Sequence, residues 1–313
     1  MPPTHSAPTN QVSVIQAAYA QRRDLRHMLR VLVVLAAPVA GTHPGDPPPA
    51  RLDLRAEWKQ LTAAVRRSQT PIALIRLTPP TLDALRYALS PRAREQGLLP
   101  HAVHFSGHGW KEGLLFEDEW GRAAPVPSAD LADLFRDAGV PLAVFNACET
   151  ARSAASVAQA LVQAGALQAA VGHREPVLDE TAIHFAARLY AELAQAGAQL
   201  SEAMERARQA IAARRDAWNP LSFGDGALTL PAPQGSEPHV HDARPPGALA
   251  GGAAAFFGRG TELVDLARKL GHDAGRAIVF SGVAGIGKSA LAVEAAHRNA
   301  WRYPGGVTWV TGP

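Results

Sequence analysis

The strongest constraint on the fold is a short apolar run that ends abruptly in polar residues. Residues 142–145 read Leu-Ala-Val-Phe, and the chain continues as Asn-Ala-Cys-Glu-Thr to residue 150. A run that starts after Pro141 and leads into an Ala- and Ser-rich stretch is typical of a buried parallel strand followed by a helix. Cys148, the only cysteine in the sequence, therefore stands between a strand and a helix. Backbone N–H groups at the start of a helix favour a thiolate over a thiol, so this is a position suited to chemistry.

A second apolar run leads to a histidine. Residues 102–105 predict a strand, and Ser-Gly-His-Gly follows, with His108 in the turn. Because the carboxyl ends of parallel strands share one edge of a sheet, His108 and Cys148 are expected to meet there as base and nucleophile. The N–H groups of Gly109 and Cys148 are candidates for an oxyanion hole. The alternative is that Cys148 is a small core residue and Gly-His-Gly only a turn. His104, inside the strand, is expected to be a core residue.

The rest of the first 230 residues alternates between strand and helix patterns. Six strands are predicted, at 31–36, 72–77, 102–105, 142–145, 169–172 and 227–230. Helical patterns are predicted at 12–28, 54–65, 81–89, after Ser128, after Cys148, after Asp179 and around Met204. This order favours an α/β fold with a mainly parallel six-stranded sheet and helices on both faces. A hairpin is predicted at 114–126, and its acidic turn, Glu117 to Glu119, is expected to be solvated rather than to contact a basic substrate.

The C-terminal part of the chain differs in kind. Residues 231–254 are rich in Pro and Gly without an apolar period, which predicts a linker. A predicted strand at 277–280 then runs into G-x-x-x-x-G-K-S, followed by a predicted helix at 290–297 and a strand at 307–310. This context predicts a P-loop that binds ATP and Mg²⁺, in which glycine N–H groups and Lys288 hold phosphates and the Ser289 hydroxyl binds the metal. The residues of the predicted nucleotide site are Gly282, Gly285, Gly287, Lys288 and Ser289.

Two stretches carry resemblances to known families. A strand followed by HFSGHG and a second strand followed by NACET resemble the CHAT family of caspase-like cysteine peptidases, in the clan that also holds caspases, legumain and separase. FGRxxEL ahead of the P-loop resembles the start of NB-ARC or AAA-type modules in STAND ATPases. The implied domains are a tail and helix at 1–29, a CHAT peptidase domain at 30–230, the linker at 231–254 and an incomplete ATPase at 255–313. No Walker B acid follows the P-loop, so we expect that the ATPase module is truncated and lacks its C-terminal sensor.

The resemblance also implies a function and a substrate pocket. It implies a cysteine endopeptidase controlled by a nucleotide switch in bacterial signalling, defence or cell death, with a protein substrate, ATP or ADP, and oligomerisation on activation. The implied pocket includes Asn146, Glu149 and Asp179, although Asp179 is also a plain N-cap. In several relatives the residue two before the cysteine is acidic and recognises a basic side chain, whereas Asn146 is neutral. The alternatives are a nucleotide-dependent signalling scaffold without proteolysis, and a P-loop kinase or transport ATPase with an unrelated front domain.

Composition narrows the remaining choices. The sequence is 47% hydrophobic and 19% charged with a net charge of +3, which indicates a globular protein without a basic patch for nucleic acid. A single cysteine excludes an internal disulfide framework and fits a reducing cytoplasm. Residues 31–40 after several arginines imitate a signal peptide, but we expect a core strand there and cytoplasmic localisation. No apolar stretch is long enough to cross a bilayer, so no membrane partner is expected.

Overall fold

The protein is described from a computed structural model. The structure describes residues 18, 20, 23–110, 112–147, 151–173, 179–214, 219–235, 237–242, 256, 258–272, 277–303 and 305–310.

A nine-stranded, largely parallel sheet forms the centre of the described part. Its strands are β1 (Leu29–Leu35), β2 (Ile72–Leu77), β3 (Ala102–Trp110), β4 (Gly113–Glu117), β5 (Ala123–Pro127), β6 (Leu142–Ala147), β7 (Ala169–His173), β8 (Pro220–Gly224) and β9 (His239–Asp242). The order is β8-β7-β6-β3-β1-β2-β9, with the β4–β5 hairpin paired to the end of β3. Strand β8 runs antiparallel to β7, and the other neighbours along this order are parallel.

Helices cover both faces of the sheet, as an alternating strand and helix pattern requires. They are α1 (Leu54–Ser68), α2 (Leu82–Ala88), α3 (Pro91–Glu95), α4 (Ser128–Ala138), α5 (Ala151–Gln163), α6 (Asp179–Leu193), α7 (Leu200–Ala210), α8 (Gly260–His272) and α9 (Lys288–Asn299). Short 3₁₀ helices span Arg23–His27 and Ala300–Arg302.

The two faces of the sheet bury separate apolar cores. Along β1, Leu32 and Val34 belong to one core, and Val31 and Val33 belong to the other, because successive side chains of a strand point to opposite faces. The first core packs against α4 and α5, and the second packs against α1, α6 and α7. A sheet buried on both faces explains why its strands read as continuous apolar runs in the sequence.

Helix α1 illustrates how the sequence sets the local structure. The Asp53 carboxylate caps the helix by accepting a hydrogen bond from the Ala56 N–H, at 3.1 Å. Its predicted apolar face is confirmed, since Leu54, Trp58, Leu61 and Val65 are all buried in the second core. Glu57 lies on the same buried side, which the apolar pattern did not indicate.

Several boundaries differ from the predictions. The strand predicted at 227–230 is wrong: this stretch makes only an isolated bridge between Gln199 and Thr229, and β8 takes the edge of the sheet. Ser128 does not cap α4 with its side chain. Its hydroxyl instead donates to the Glu112 carbonyl at 2.8 Å, and Pro127 occupies the N-cap position. Most of the predicted helix at 12–28 lies outside the described residues.

The stretch predicted to be a linker contributes a strand. Residues 239–242 form β9, which pairs in parallel with β2. The Asp242 carboxylate accepts a hydrogen bond from the Trp58 indole at 3.2 Å and lies 3.7 Å from the Arg76 guanidinium. Part of this Pro- and Gly-rich segment is therefore tied to the sheet and to α1.

The C-terminal segment has the predicted helix but not the predicted strands. Helix α9 begins at Lys288, whereas 277–280 and 307–310 are not strands. Segment 256–310, as far as it is described, packs through Leu263, Leu266 and Leu291 against Val39 of the preceding domain. No helix in the described ranges is long and apolar enough to cross a membrane.

We predict that the attachment of β9 contributes to stability. Replacing Asp242 by Ala removes the acceptor of the Trp58 indole and the counter-charge of Arg76, so the free energy of unfolding should fall by about 1–3 kcal/mol. Urea unfolding followed by tryptophan fluorescence measures this change. The matched control is Glu237→Ala, an exposed change in the same segment that should have little effect. Equal stability of the two variants would show that β9 is not an integral strand.

Candidate active site

The register of β3 and β6 brings the two predicted catalytic segments together. Ser106 pairs with Asn146, and Gly107 pairs with Ala147. In the sequence, His108 follows Gly107 and Cys148 follows Ala147. The two predicted catalytic residues therefore each come directly after one member of this pair. The two strands therefore deliver their polar ends to the same edge of the sheet, as the sequence predicted.

Cys148 and Glu149 lie outside the described residues. The last described residue before them is Ala147, which ends β6 opposite Gly107 of β3.

His108 is held within a strand rather than in a turn. Strand β3 continues to Trp110, because its last residues pair with β4, and this corrects the prediction that the strand ends at Phe105. The side chain is buried, and its Nε2 atom lies 2.6 Å from the Ala50 carbonyl oxygen. Since a carbonyl oxygen only accepts, Nε2 must carry a proton in this contact. The neutral ring then has Nδ1 as its proton acceptor, which is the arrangement that a general base needs.

The Ala50 carbonyl was missed by the sequence reasoning. It belongs to the segment 36–53 between β1 and α1, which we call the β1–α1 loop. A backbone group carries no residue-type signal, so only the fold could show that this loop reaches His108.

The glycines beside His108 allow close packing at the strand end. A Cβ atom on Gly107 would lie 2.8 Å from the Ala36 carbonyl oxygen, and hence a larger residue would displace the start of the β1–α1 loop. Gly109 lies in β3 opposite Leu114 of β4. Its predicted role as an oxyanion donor remains a prediction.

A cluster of buried polar side chains lies just before the carboxyl ends of β3 and β6. The Glu57 carboxylate accepts hydrogen bonds from the Ser106 hydroxyl at 2.8 Å and from the Asn146 side-chain amide at 3.0 Å. All three side chains are at least 97% buried, with exposures of 3%, 1% and 2%. The Oδ1 atom of Asn146 is buried without a hydrogen-bond partner among the described residues. The sequence analysis identified Asn146 but missed Glu57, which lies on a helix far away in the sequence.

Two further histidines lie on the same face of the sheet. His104 Nδ1 is 2.8 Å from the Tyr190 hydroxyl, and burial lowers the pKa of His104 to about 4. Burial also lowers the pKa of His173, at the end of β7, to about 4. Both rings are therefore neutral near pH 7, and His104 is a core residue as expected.

The other predicted pocket residues have different surroundings. Asp179 begins α6, as an N-terminal residue of that helix, and its side chain lies outside the description. Glu117 was expected to be solvated, which is wrong. Its side chain is only 12% exposed, and it lies 3.6 Å from the Arg298 guanidinium of α9. The acidic turn thus contacts another part of the chain.

The predicted phosphate-binding residues form a loop at the start of α9. Gly282, Gly285 and Gly287 all have positive φ angles, of 146°, 80° and 88°, which glycine adopts without strain. The Lys288 ammonium donates to the carbonyl oxygens of Gly282 and Val283, at 3.0 and 2.9 Å. Ser289 is exposed in the first turn of α9, and the N-cap residue of this helix is Gly287, which makes no side-chain cap. The N–H groups at a helix start, a lysine and an exposed hydroxyl are the groups that would hold a phosphate with its metal.

Comparison with protein families supports the resemblance of the first domain. The CHAT domain matches residues 7–245, which is most of the chain. A search of curated proteins finds no match to the sequence. The matched range holds β3, β6 and the histidine and cysteine segments that they carry. The chain therefore belongs to the CHAT domain family, whose domain is of the caspase-like cysteine peptidase type.

Proposed function

We propose that this chain is a cysteine endopeptidase in which Cys148 is the nucleophile and His108 the base. The observation that carries the proposal is the position of His108. It is buried at the carboxyl end of β3, oriented by the Ala50 carbonyl and one residue beyond the pair that leads into Cys148. A histidine that is held in one orientation can act as the base that activates a cysteine thiol.

In the proposed reaction, the Cys148 sulfur attacks the scissile carbonyl carbon and its proton passes to His108 Nδ1. The negative oxygen that forms is stabilised by the N–H groups of Gly109 and Cys148. The C–N bond then breaks, and the leaving amine takes the proton from His108, which leaves a thioester. Water, deprotonated by His108, attacks the thioester and releases a carboxylic acid product together with the free thiol.

We also propose that the loop at 282–289 binds the phosphates of ATP or ADP and that this regulates the peptidase. Lys288 and the N–H groups of the glycine-rich loop would hold the phosphates, and the Ser289 hydroxyl would bind Mg²⁺. The support is local: the glycines have the backbone angles of a cradle, and α9 starts without a side-chain cap. The biological setting that we propose, from the family resemblance, is cytoplasmic bacterial defence or cell death.

The first prediction of this proposal concerns the reactivity of Cys148. As the only cysteine in the sequence, it gives a single-site readout with iodoacetamide. An ordinary thiol is only a few per cent thiolate at pH 7, so pairing with His108 should accelerate alkylation about tenfold. We expect this acceleration to be lost in His108→Ala and kept in His184→Ala, which changes a half-buried histidine on α6.

The measurement is the rate of mass increase at pH 7 and pH 9. An ordinary thiol rate at pH 7 that does not depend on His108 would remove the peptidase proposal and favour a scaffold without proteolysis.

The second prediction concerns the residue before the cleaved bond. Both oxygens of Glu57 already accept hydrogen bonds from Ser106 and Asn146, so its charge is partly satisfied and Asn146 adds none. We therefore expect cleavage without a strict requirement for Arg or Lys. Asn146→Asp would set two carboxylates about 3 Å apart, and a cationic substrate side chain would relieve their repulsion.

A peptide library compared between the unaltered protein and Asn146→Asp tests this expectation. The variant should shift the preference toward Arg by about tenfold, and Glu57→Gln in the same background should reduce the shift. Strict Arg or Lys selection by the unaltered protein would contradict the prediction.

A further inference from the structure

The β1–α1 loop, which carries Ala50, connects the proposed catalytic histidine to the C-terminal segment. Inside the first domain, the Ala36 N–H donates to the Ser106 carbonyl at 2.9 Å, and the Val39 N–H donates to the Gly121 carbonyl at 2.9 Å. Near its end, the Ala50 carbonyl accepts the hydrogen bond from His108. Any displacement of this loop therefore changes the group that orients the base.

Arg298 of α9 contacts the start of the β1–α1 loop. One guanidinium nitrogen of Arg298 donates to the Ala37 carbonyl at 3.2 Å, and the other lies 3.6 Å from Glu117 Oε2. The second oxygen of Glu117 accepts the Ala37 N–H at 2.9 Å. Burial raises the pKa of Glu117, and the charge of Arg298 opposes this rise and favours the carboxylate. Both backbone groups of Ala37 thus depend on one ion pair.

The end of the loop is held by the same segment. The Arg51 guanidinium, next to Ala50, donates to the Phe256 carbonyl. Arg55, in the first turn of α1, forms an ion pair with Glu294 of α9 at 2.9 Å. Glu294 in turn accepts a hydrogen bond from Arg298 Nε at 3.0 Å.

The space between the loop and α9 is not filled. A cleft of about 1030 Å³ separates them and is lined by both, including Pro49, Leu52, His297 and Arg298. Apart from the contact of Val39 with Leu263 and Leu291, this space is not filled by apolar packing, so the polar contacts at the two ends of the loop contribute to its position.

The other end of α9 is the phosphate-binding loop. Lys288 and Arg298 are about 15 Å apart along the helix, at a rise of about 1.5 Å per residue. Lys288 donates to two carbonyls of its own loop and must leave them to contact a phosphate. A displacement at the start of this rigid helix would therefore also move Arg298, which donates to the Ala37 carbonyl.

We propose that Arg298 is a positioning residue for His108, and that α9 couples phosphate binding at 282–289 to the peptidase site through the β1–α1 loop. This rests on the proposed dyad and phosphate site. In the described structure Arg298 contacts Ala37 and Glu117 while Lys288 is bonded within its own loop. Phosphate binding is therefore expected to weaken the contacts of Arg298 and to slow the reaction of Cys148.

The first experiment measures the alkylation rate of Cys148 at pH 7 in the full chain. Arg298→Ala should slow alkylation about three- to tenfold, and Arg298→Lys, which restores a charge opposite Glu117, should recover at least half of the loss. The matched control is Arg268→Ala on α8. The Arg268 side chain is half exposed and forms an ion pair with Asp265 at 4.0 Å. This variant should react like the unaltered protein.

A second variant keeps the proposal testable if Arg298→Ala does not fold. Arg51→Ala releases the other end of the loop and should also slow alkylation. Circular dichroism shows which variants are folded. If the folded Arg298 and Arg51 variants react at the unaltered rate, the positioning role is overturned.

The outcomes separate this inference from the proposed function. A rate that does not depend on His108 overturns the dyad itself, whereas a rate that depends on His108 but not on Arg298 overturns only the positioning role.

The second experiment adds ADP with Mg²⁺ as the phosphate probe. We expect alkylation of the unaltered protein to slow at least about twofold, and to be unchanged by ADP in Lys288→Ala and in Arg298→Ala. No effect on the unaltered protein overturns the coupling. An equal effect in Arg298→Ala overturns the path through this residue.

Discussion

The pairing of β3 with β6 is the constraint on which the proposed site depends. Both strands are buried on two faces, and their register places Ser106 opposite Asn146. A shift by one residue would turn every side chain of a strand to the opposite face, and this would bury polar residues in the wrong core. The two apolar cores therefore fix which residues emerge at the sheet edge. The position of His108, the proposed base, is thus a consequence of packing within the sheet.

A strand end alone does not hold a histidine side chain in one orientation. The group that orients His108, the proposed base, is the backbone carbonyl of Ala50, which belongs to a loop held by α9 and by the β4–β5 hairpin. A carbonyl has no charge to lose and cannot be replaced by a side-chain substitution at its own position. In the proposed mechanism, control over His108 would therefore act through the path of the loop, that is, through the contacts of Ala37 and Arg51.

Elements with strong local patterns could be predicted from the sequence. The parallel strands, the apolar face of α1 and the pairing of the strands that precede His108 and Cys148 follow from apolar runs and their order. Features that depend on distant partners could not. Glu57 lies on a helix that otherwise reads as amphipathic, and its partners Ser106 and Asn146 are distant in sequence. Similarly, β9 has only four residues and exists because β2 offers it a free edge.

In the C-terminal segment, local sequence patterns predict strands that the structure does not contain. Residues 277–280 and 307–310 are apolar enough to predict strands, but a strand forms only against a hydrogen-bonding neighbour. In the described segment Val279 and Val310 are 85% and 81% exposed. Helix α9 needs no such partner for its own hydrogen bonds, and it forms as predicted. Its acidic and basic residues then find partners on the first domain, which the local pattern could not indicate.

Detection of an acyl-enzyme would test directly whether Cys148 is the nucleophile and His108 its base. A peptide ester is mixed rapidly with the protein, the reaction is stopped with acid, and the mass of the intact chain is measured over time. We predict a burst in which about one acyl group per chain is attached at Cys148 before steady hydrolysis, with no burst in Cys148→Ala or His108→Ala. Absence of a covalent adduct during turnover of the ester, or an adduct that forms equally fast in His108→Ala, would contradict this prediction.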